Sequence, residues 1–391
     1  MIRITFIMLF ASIGQLANSQ VSLQIVLDSI AANNLQIKAS SENRDAEVAF
    51  THTGLTPLDP QVEYGYFPGS NTALGNKSTL NVSQSFYFPT VYSRKKTGAK
   101  LSAEKSAEFH LVNKRTILIE AAFQYLELVY LDKYADELKK RAADAENVKA
   151  LFEKRLASGD VNQIEINKVR IEAMRWTSEL SSNEARRTEK MQILAAMNGG
   201  RAFVLTNLEY PIWQMLPVDS ILSKAIENDP VLKAMGYEQQ KADNNVKLQQ
   251  SLWLPQFKAG YGQETILDGS YRGVQAGISI PLWQNKNTVK YAQLQQQATQ
   301  SSAFAYRQQL KSNIASKYQV AVSLKNNFDG YQKIAESIQS QDLLHKSLRS
   351  GNISVLEYYR ELSSWYEMYD RYLVSAKDYY LEMIYLMQYN W

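Results

Sequence analysis

The chain has 391 residues and a formal net charge of +4 at pH 7, so it is long enough for two or more ordinary domains and too weakly basic to indicate nucleic-acid binding. It has no cysteine, which excludes disulfides, thiolate metal sites and a cysteine-linked lipid anchor. With 24 tyrosines but only 17 glycines and 9 prolines, the composition is typical of a helix-rich protein.

The N-terminus is typical of a secretory signal peptide over residues 1–19. Arg3 supplies the positive start, residues 4–13 form an apolar core, and Ala17 and Ser19 are the small residues of a cleavage site before Gln20. A short buried N-terminal helix is the alternative. No run of 18 apolar residues follows, so we expect any insertion into a membrane to use strands rather than helices.

The first half then predicts a helix, a strand pair and a very long helix. Apolar spacing predicts a helix from Leu23 to about Leu55, and prolines frame strands at 61–67 and 79–88. Residues 94–158 contain no proline and one glycine, and as a helix they would be about 97 Å long. Apolar residues at steps of three and four predict a coiled-coil partner. Gly159 ends this arm, and a return helix follows at about 161–197.

The second half repeats this order about 195 residues later. Strands are predicted at 256–266 and 272–282, a proline-free arm at 286–350, a turn at Gly351 and a return helix at about 353–387. A period this long differs from that of solenoids, whose repeats run to roughly 20–50 residues. We therefore predict two structural repeats, at 20–200 and 216–391, joined by a linker at 201–215.

Alternating side chains give the strands a predicted apolar side. We expect these residues to face the membrane: Leu80, Val82, Phe86, Val274, Ala276, Ile278 and Ile280. Three of the four strands have about 9–11 residues, the length that crosses a bilayer when tilted. A half-buried soluble sheet is the alternative. Because membrane barrels need about eight or more strands, the membrane interpretation requires several chains to contribute strands to one barrel.

In this duplicated order, the chain resembles the TolC-type outer-membrane efflux channels, the outer membrane efflux protein family, over the whole mature sequence. The segments that carry the resemblance are Asn33-Asn34, Pro60-Gln61, Val82-Ser83-Gln84-Ser85-Phe86, Ser158-Gly159, Asn228-Asp229-Pro230, Pro255-Gln256, Ile278-Ser279-Ile280-Pro281-Leu282 and Ser350-Gly351. The resemblance implies a mainly α fold with a small β part: long coiled-coil hairpins in two tandem repeats, and four transmembrane strands per chain. In a homotrimer these would form a 12-stranded β-barrel and an α-helical periplasmic tunnel.

The resemblance also implies a function and partners. The protein would be the outer-membrane exit duct of a tripartite efflux system, passively conducting drugs or metal ions outward. Its partners would be a periplasmic adaptor (membrane fusion) protein, an inner-membrane pump, for example of the resistance-nodulation-division type, and outer-membrane lipid. It implies no cofactor and no nucleic acid.

Two groups of candidate site residues follow from the same resemblance. Family members carry acidic side chains just after the second tip, where they constrict the tunnel; the matching positions are Glu357 and Arg360, with Glu165 in the first half. Arg360 departs from the acidic pattern and is spaced to pair with Glu357. Ordinary solvated pairs are the alternative. The residues expected to contact the adaptor at the tips are Arg155, Leu156, Ser158, Gly159, Arg349, Ser350 and Gly351.

The sequence has no recognisable catalytic or metal-binding pattern. The three histidines lie far apart, and no phosphate-binding loop or nucleophile motif is present, so we do not expect an enzyme. The basic cluster Arg94-Lys95-Lys96 after the first strand pair fits a membrane-interface role and a solvated patch equally well. The alternative function is a secreted non-pore coiled-coil scaffold or a periplasmic adaptor, but the duplicated alternating strands favour the channel.

Overall fold

The computed structural model describes residues 22–71, 73, 75–337 and 340–390. The predicted signal peptide at 1–19 lies outside these residues. Within them the protein is mostly helical with one small four-stranded sheet, which confirms the predicted fold class. None of the described helices is both long and apolar enough to cross a lipid bilayer.

The elements follow the same order in both halves of the chain. In the first half they are α1 (Leu23–Asn33), α2 (Leu35–Thr51), β1 (Gln61–Phe67), β2 (Lys77–Phe86), α3 (Pro89–Ala157) and α4 (Gln163–Met197). In the second half they are α5 (Val218–Asn228), α6 (Pro230–Ser251), β3 (Gln256–Ile266), β4 (Gly269–Ser279), α7 (Thr288–Ser337), α8 (Ser340–Arg349), α9 (Val355–Met387) and a short 3-10 helix (Gln388–Asn390).

The predicted single helix from Leu23 to about Leu55 is wrong, because the chain forms two helices there. Asn34 adopts an extended conformation, and its side chain accepts hydrogen bonds from the amides of Gln36 and Ile37, which starts a new helix. The second half has the same break at Asp229, whose carboxylate caps α6 through the amide of Leu232. Both breaks thus use an Asn or Asp cap at equivalent positions.

The sheet is antiparallel throughout, in the order β1-β2-β3-β4. Its strands have 7, 10, 11 and 11 residues, as the sequence predicted. β1 and β3 have the predicted bounds, whereas β2 and β4 begin and end a few residues earlier. The β4 shift has a clear cause: Ile266 pairs with Gly269 across a two-residue turn, which brings Gly269 into the ladder.

The described residues fall into two compact units, each drawing on both halves of the chain. One contains the residues up to Asn33 together with Glu120–Gln214 and Leu324–Leu381. Its core forms where α3, α4, α8 and α9 pack together. Buried members of that core include Leu138, Ala145, Val148, Phe152, Ile166, Val169, Trp176, Leu348, Tyr358, Leu362 and Tyr366. The other unit contains Asn34–Ile119, Met215–Ser323 and the residues from Glu382 onward, and it holds the whole sheet. The repeat boundaries at 200 and 216 stay a prediction.

Candidate functional site

One face of the sheet is apolar. Directly paired residues of neighbouring antiparallel strands lie on the same face. Val82 is paired with Val62 on one side and with Tyr261 on the other, and Tyr261 is in turn paired with Val274. A second row is formed by Phe86, Phe257 and Ile278. The alternation seen in separate strands therefore combines into one mostly apolar face, which also carries Gln84 and, beside Leu80, Gln263 and Arg272.

This apolar face is exposed to solvent in the single chain. Val274 is 91% exposed, Val62 67% and Ile278 64%, values far above those of core residues. The residues predicted from sequence to face the membrane lie together here: Leu80, Val82, Phe86, Val274, Ala276 and Ile278, with Ile280 just beyond the end of β4. An uncovered apolar face of this kind marks a surface that contacts lipid or protein.

The opposite face of the sheet is polar and rich in glycine. Its rows include Asn81 paired with Gly262, and Ser83 paired with Gly260. A Cβ on Gly260 would lie 2.7 Å from the carbonyl oxygen of Val82, so this face is too crowded for a larger residue there. Glycine at such positions allows close approach of neighbouring strands, as on the inner side of a curved sheet. The two faces therefore differ in both chemistry and available space.

Both hairpin tips are built by the same helix-ending turn. Gly159 and Gly351 have φ angles of 79° and 76°, a conformation that glycine adopts without steric cost. The amide of Asp160 donates to the carbonyl of Arg155 over 2.8 Å, and that of Asn352 donates to the carbonyl of Ser347 over 2.9 Å. This six-residue hydrogen bond is the Schellman motif, so the glycines end the helices as predicted.

The predicted tip residues differ in how far they are exposed. Ser158, Gly159, Arg349, Ser350 and Gly351 are exposed, whereas Arg155 is half-buried. Leu156 packs against the apolar core of this unit rather than standing clear of it. The Arg155 guanidinium crosses to the other tip and donates a hydrogen bond to the Arg349 carbonyl over 3.0 Å.

The candidate constriction residues occupy equivalent helix starts. Glu357 accepts hydrogen bonds from the amide and the hydroxyl of Ser354, each over 2.9 Å, and its own amide donates to that hydroxyl. Glu165 makes the matching capping box with Asn162, whose amide donates to its carboxylate over 3.0 Å. Each glutamate therefore has a structural role as the third residue of the helix that follows a tip.

The expected ion pair between Arg360 and Glu357 does not form in the structure, because Arg360 has another partner. Arg360 forms its ion pair with Glu361 over 3.1 Å, while Lys168 pairs with Glu172 over 2.8 Å. The pKa of Glu357 is lowered most by the backbone hydrogen bond from Ser354, next by the hydrogen bond from the Ser354 hydroxyl, and least by the charge of Arg360. Arg360 therefore pairs with its direct neighbour Glu361 and not with Glu357.

A family model matches the part of the chain that contains the second strand pair and the second tip. Residues 221–376 match the model described as outer membrane efflux protein. The second half carries this family's domain. This match confirms the predicted resemblance, and it bears out the predicted location in the outer membrane. No curated protein matches the sequence.

Solved structures of outer-membrane and transmembrane channel proteins share the fold over 94% of this chain. VceC of Vibrio cholerae is 13% identical, with 94% of this chain and 95% of that chain covered and a TM-score of 0.77. MtrE of Neisseria gonorrhoeae is 12% identical, with 94% and 88% covered and a TM-score of 0.73. CusC is 14% identical, with 94% and 91% covered and a TM-score of 0.76. At such low identity these likenesses show the fold alone.

The structure also has a buried cation that sequence analysis missed. The Arg141 side chain is fully buried; it donates to Glu137 over 3.0 Å and to both carboxylate oxygens of Asp370 over 3.1 and 2.7 Å. Its guanidinium also lies 4.2 Å from the centre of the Tyr366 ring. The sequence did contain a sign of this buried cation, because Arg141 lies on the apolar face of the helix between Leu138 and Ala145.

Metal binding has no geometric support in the described part of the chain. Among those residues, no group of three or more His, Asp or Glu side chains is placed to hold an ion. The candidate site therefore consists of a two-faced sheet, two matched tips and the capping glutamates behind them.

Proposed function

We propose that this protein is the outer-membrane exit duct of a tripartite efflux system, through which substrates pass passively and without catalysis. The observation that carries the proposal is the two-faced sheet. Its exposed apolar side suits contact with lipid, and its polar, glycine-rich side suits the lining of a water-filled channel. The family match over residues 221–376 supports the same function.

The duct is a homotrimer in this proposal. The described residues of one chain supply four strands, about half the number that the smallest membrane barrels need. An open four-stranded sheet in lipid would also leave the outer edges of β1 and β4 without hydrogen-bond partners, which the bilayer core does not tolerate. Three chains would close a 12-stranded barrel by pairing β4 of one chain with β1 of the next.

The two tips are the proposed contact with a periplasmic adaptor protein that links the duct to an inner-membrane pump. The tips share one turn geometry, so an adaptor hairpin could dock on either by the same contacts. Exposed Ser158, Gly159, Ser350 and Gly351 leave room for a helix to approach closely, and Arg349 adds positive charge. The bond from Arg155 to the Arg349 carbonyl would hold the pair of tips as one docking surface.

Glu357 and Glu165 are the proposed constriction of the tunnel, with Arg360 beside Glu357. In a threefold assembly each glutamate would form a ring of three carboxylates, which favours cations over anions. The capping boxes fix each carboxylate at its helix start, so the rings would have a defined diameter. Drugs or metal ions delivered by the pump are the proposed cargo.

Conductance in planar lipid bilayers tests the proposal. Detergent-purified protein should insert and give stepwise, ohmic currents of uniform size, as a barrel of fixed strand number requires. Protein that remains in the aqueous phase and gives no current at any concentration would contradict the duct and favour the scaffold alternative.

A further inference from the structure

An open cavity of about 870 Å³ lies in the unit that holds the sheet, between the end of α2, the first turns of α3, and α6. The α3 wall includes small residues at helical spacing, among them Gly98, Ser102 and Ser106. Gly98 is the only glycine in the long helix, where glycine lowers helix stability. These small side chains leave the cavity open.

The charged residues of the cavity are mostly cations. Arg94, Lys95, Lys105 and Lys241 line it, against the carboxylates of Glu47 and Glu238. Lys105 is already paired with Glu238 over 2.7 Å. The remaining lining therefore has three positive charges against one negative charge, which suits an anion.

The rest of the wall combines apolar surface with an unsatisfied polar atom. The Phe50 ring is 69% exposed and the Phe109 ring 50% exposed, although both are large apolar groups. Asn244 is 94% buried, and its amide nitrogen donates to the Arg94 carbonyl over 2.8 Å. Its amide oxygen is buried without a hydrogen-bond partner among the described residues, so a donor supplied by a ligand would satisfy it.

The cavity begins close to the end of the apolar sheet face. Lys95 lies 5.0 Å from the centre of the Tyr87 ring and donates to the Gly54 carbonyl over 3.3 Å. Tyr87 directly follows Phe86, the last residue of β2 on that face. If the apolar face meets the hydrocarbon core, these cations lie at the depth of the lipid headgroups.

We propose that this cavity binds one anionic glycerophospholipid of the adjacent leaflet. Arg94 and Lys241 hold the phosphate, a headgroup hydroxyl donates to the Asn244 amide oxygen, and an acyl chain lies along Phe50 and Phe109. The site rests on the proposed function, because only a chain inserted by its strands brings the cavity to the membrane surface.

Native mass spectrometry of the detergent-extracted protein tests the site, with phosphatidylglycerol and phosphatidylcholine as probes. The wild type should retain phosphatidylglycerol in preference to phosphatidylcholine. The double variant Arg94→Gln with Lys241→Gln should lower the affinity for phosphatidylglycerol about tenfold or more, because each substitution removes one charge-assisted contact with the phosphate. The matched control, Lys96→Gln with Lys247→Gln, removes the same charges from exposed positions of α3 and α6 outside the cavity and should bind as the wild type does.

A second variant, Ser102→Leu, fills the cavity without changing its charge and should also reduce lipid binding. Equal retention of both lipids, or an equal loss in the control variant, would overturn the proposal. Competition by glycerol 3-phosphate as strong as that by the lipid would show a site for a soluble anion and would overturn it as well. Conductance is recorded on the same preparations: conducting protein without bound phosphatidylglycerol rejects only the lipid site, whereas protein that never conducts rejects the proposed function.

Discussion

The guanidinium of Arg155 donates a hydrogen bond to the backbone carbonyl of Arg349 over 3.0 Å, joining the ends of two helical hairpins that lie 194 residues apart in the sequence. The carbonyl belongs to the last residue of α8, where helix carbonyls have no partner within the helix. A cation at this end also interacts favourably with the helix dipole. One tip therefore caps the other.

Replacing Arg155 should loosen the second tip more than the first. Arg155→Gln removes the donor, and we expect a local loss of about 0.5–1.5 kcal/mol, the usual net value of one hydrogen bond. This local loss of stability is measured by hydrogen exchange of the backbone amides of residues 349–352, which should become faster. Arg349→Gln is the matched control, because it keeps the accepting carbonyl and should leave exchange unchanged. Equal acceleration in both variants would show that the cross-tip bond is not the cause.

Replacing Arg141 should cost far more stability. Arg141→Met leaves the Glu137 carboxylate buried without its partner, and removal of one member of a buried ion pair costs about 3–5 kcal/mol. We expect the lower part of this range, since the Asp370 side chain is 36% exposed. Thermal unfolding measures the loss, and Asp370→Asn should cost less. A melting temperature unchanged by Arg141→Met would contradict the buried triad.

Local signals explain which parts of the fold the sequence predicts well. The bounds of β1 and β3 follow from Pro60 and Pro255 just before the strands and from the alternation within them. Gly159 and Gly351 predict the tips, because their positive φ angles are a local backbone requirement. The long helices follow from the absence of proline over many turns.

The features that the sequence did not predict depend on contacts between distant residues. Arg141 meets Asp370 across 229 positions, so neither residue alone shows that a buried cation is satisfied. Alternation predicts an apolar side for each strand, but only the register, which pairs Val82 with Tyr261, shows that these sides form one face of the sheet. By contrast, the capping roles of the two glutamates were visible in the local sequence. Asn162 lies three positions before Glu165, and Ser354 lies three positions before Glu357, which is the spacing of a capping box.

Glu357 allows its capping role and its charge to be separated. Glu357→Gln keeps a carbonyl that can accept from Ser354, so the start of α9 should be retained while cation selectivity of the channel falls. Glu357→Ala should lose both. Reversal potentials in a salt gradient measure selectivity, and circular dichroism measures helix content. Unchanged selectivity in both variants would reject the proposed constriction.

The pH dependence of this group follows from its lowered pKa. Hydrogen bonds from Ser354 favour the ionised carboxylate, so its capping contribution is present above the ordinary glutamate pKa and is lost as pH falls through the lowered value. Cation selectivity should therefore persist at pH 4.5, the ordinary value, and decline only in more acidic solution. The Gln variant should show no such decline.

Adjacent positions in β4 test which side of the sheet meets lipid. Val274→Arg places a charge at the centre of the apolar face, which costs about 2–4 kcal/mol at the bilayer midplane. Gln275→Arg places the same charge one residue along, on the polar face, where it should change ion selectivity but not assembly. The yield of protein in the outer-membrane fraction measures the difference. Greater loss from Gln275→Arg than from Val274→Arg would reverse the assignment of the faces.

The number of chains in the protein extracted from the outer membrane tests the central claim most directly. The described residues of one chain supply four strands, and membrane barrels need at least about twice that number, so a single chain cannot close a barrel. In the proposed 12-stranded barrel, the detergent-solubilised complex should contain three identical chains by native mass spectrometry. A processed protein that is recovered as a single chain, dissolved without detergent, would contradict the account.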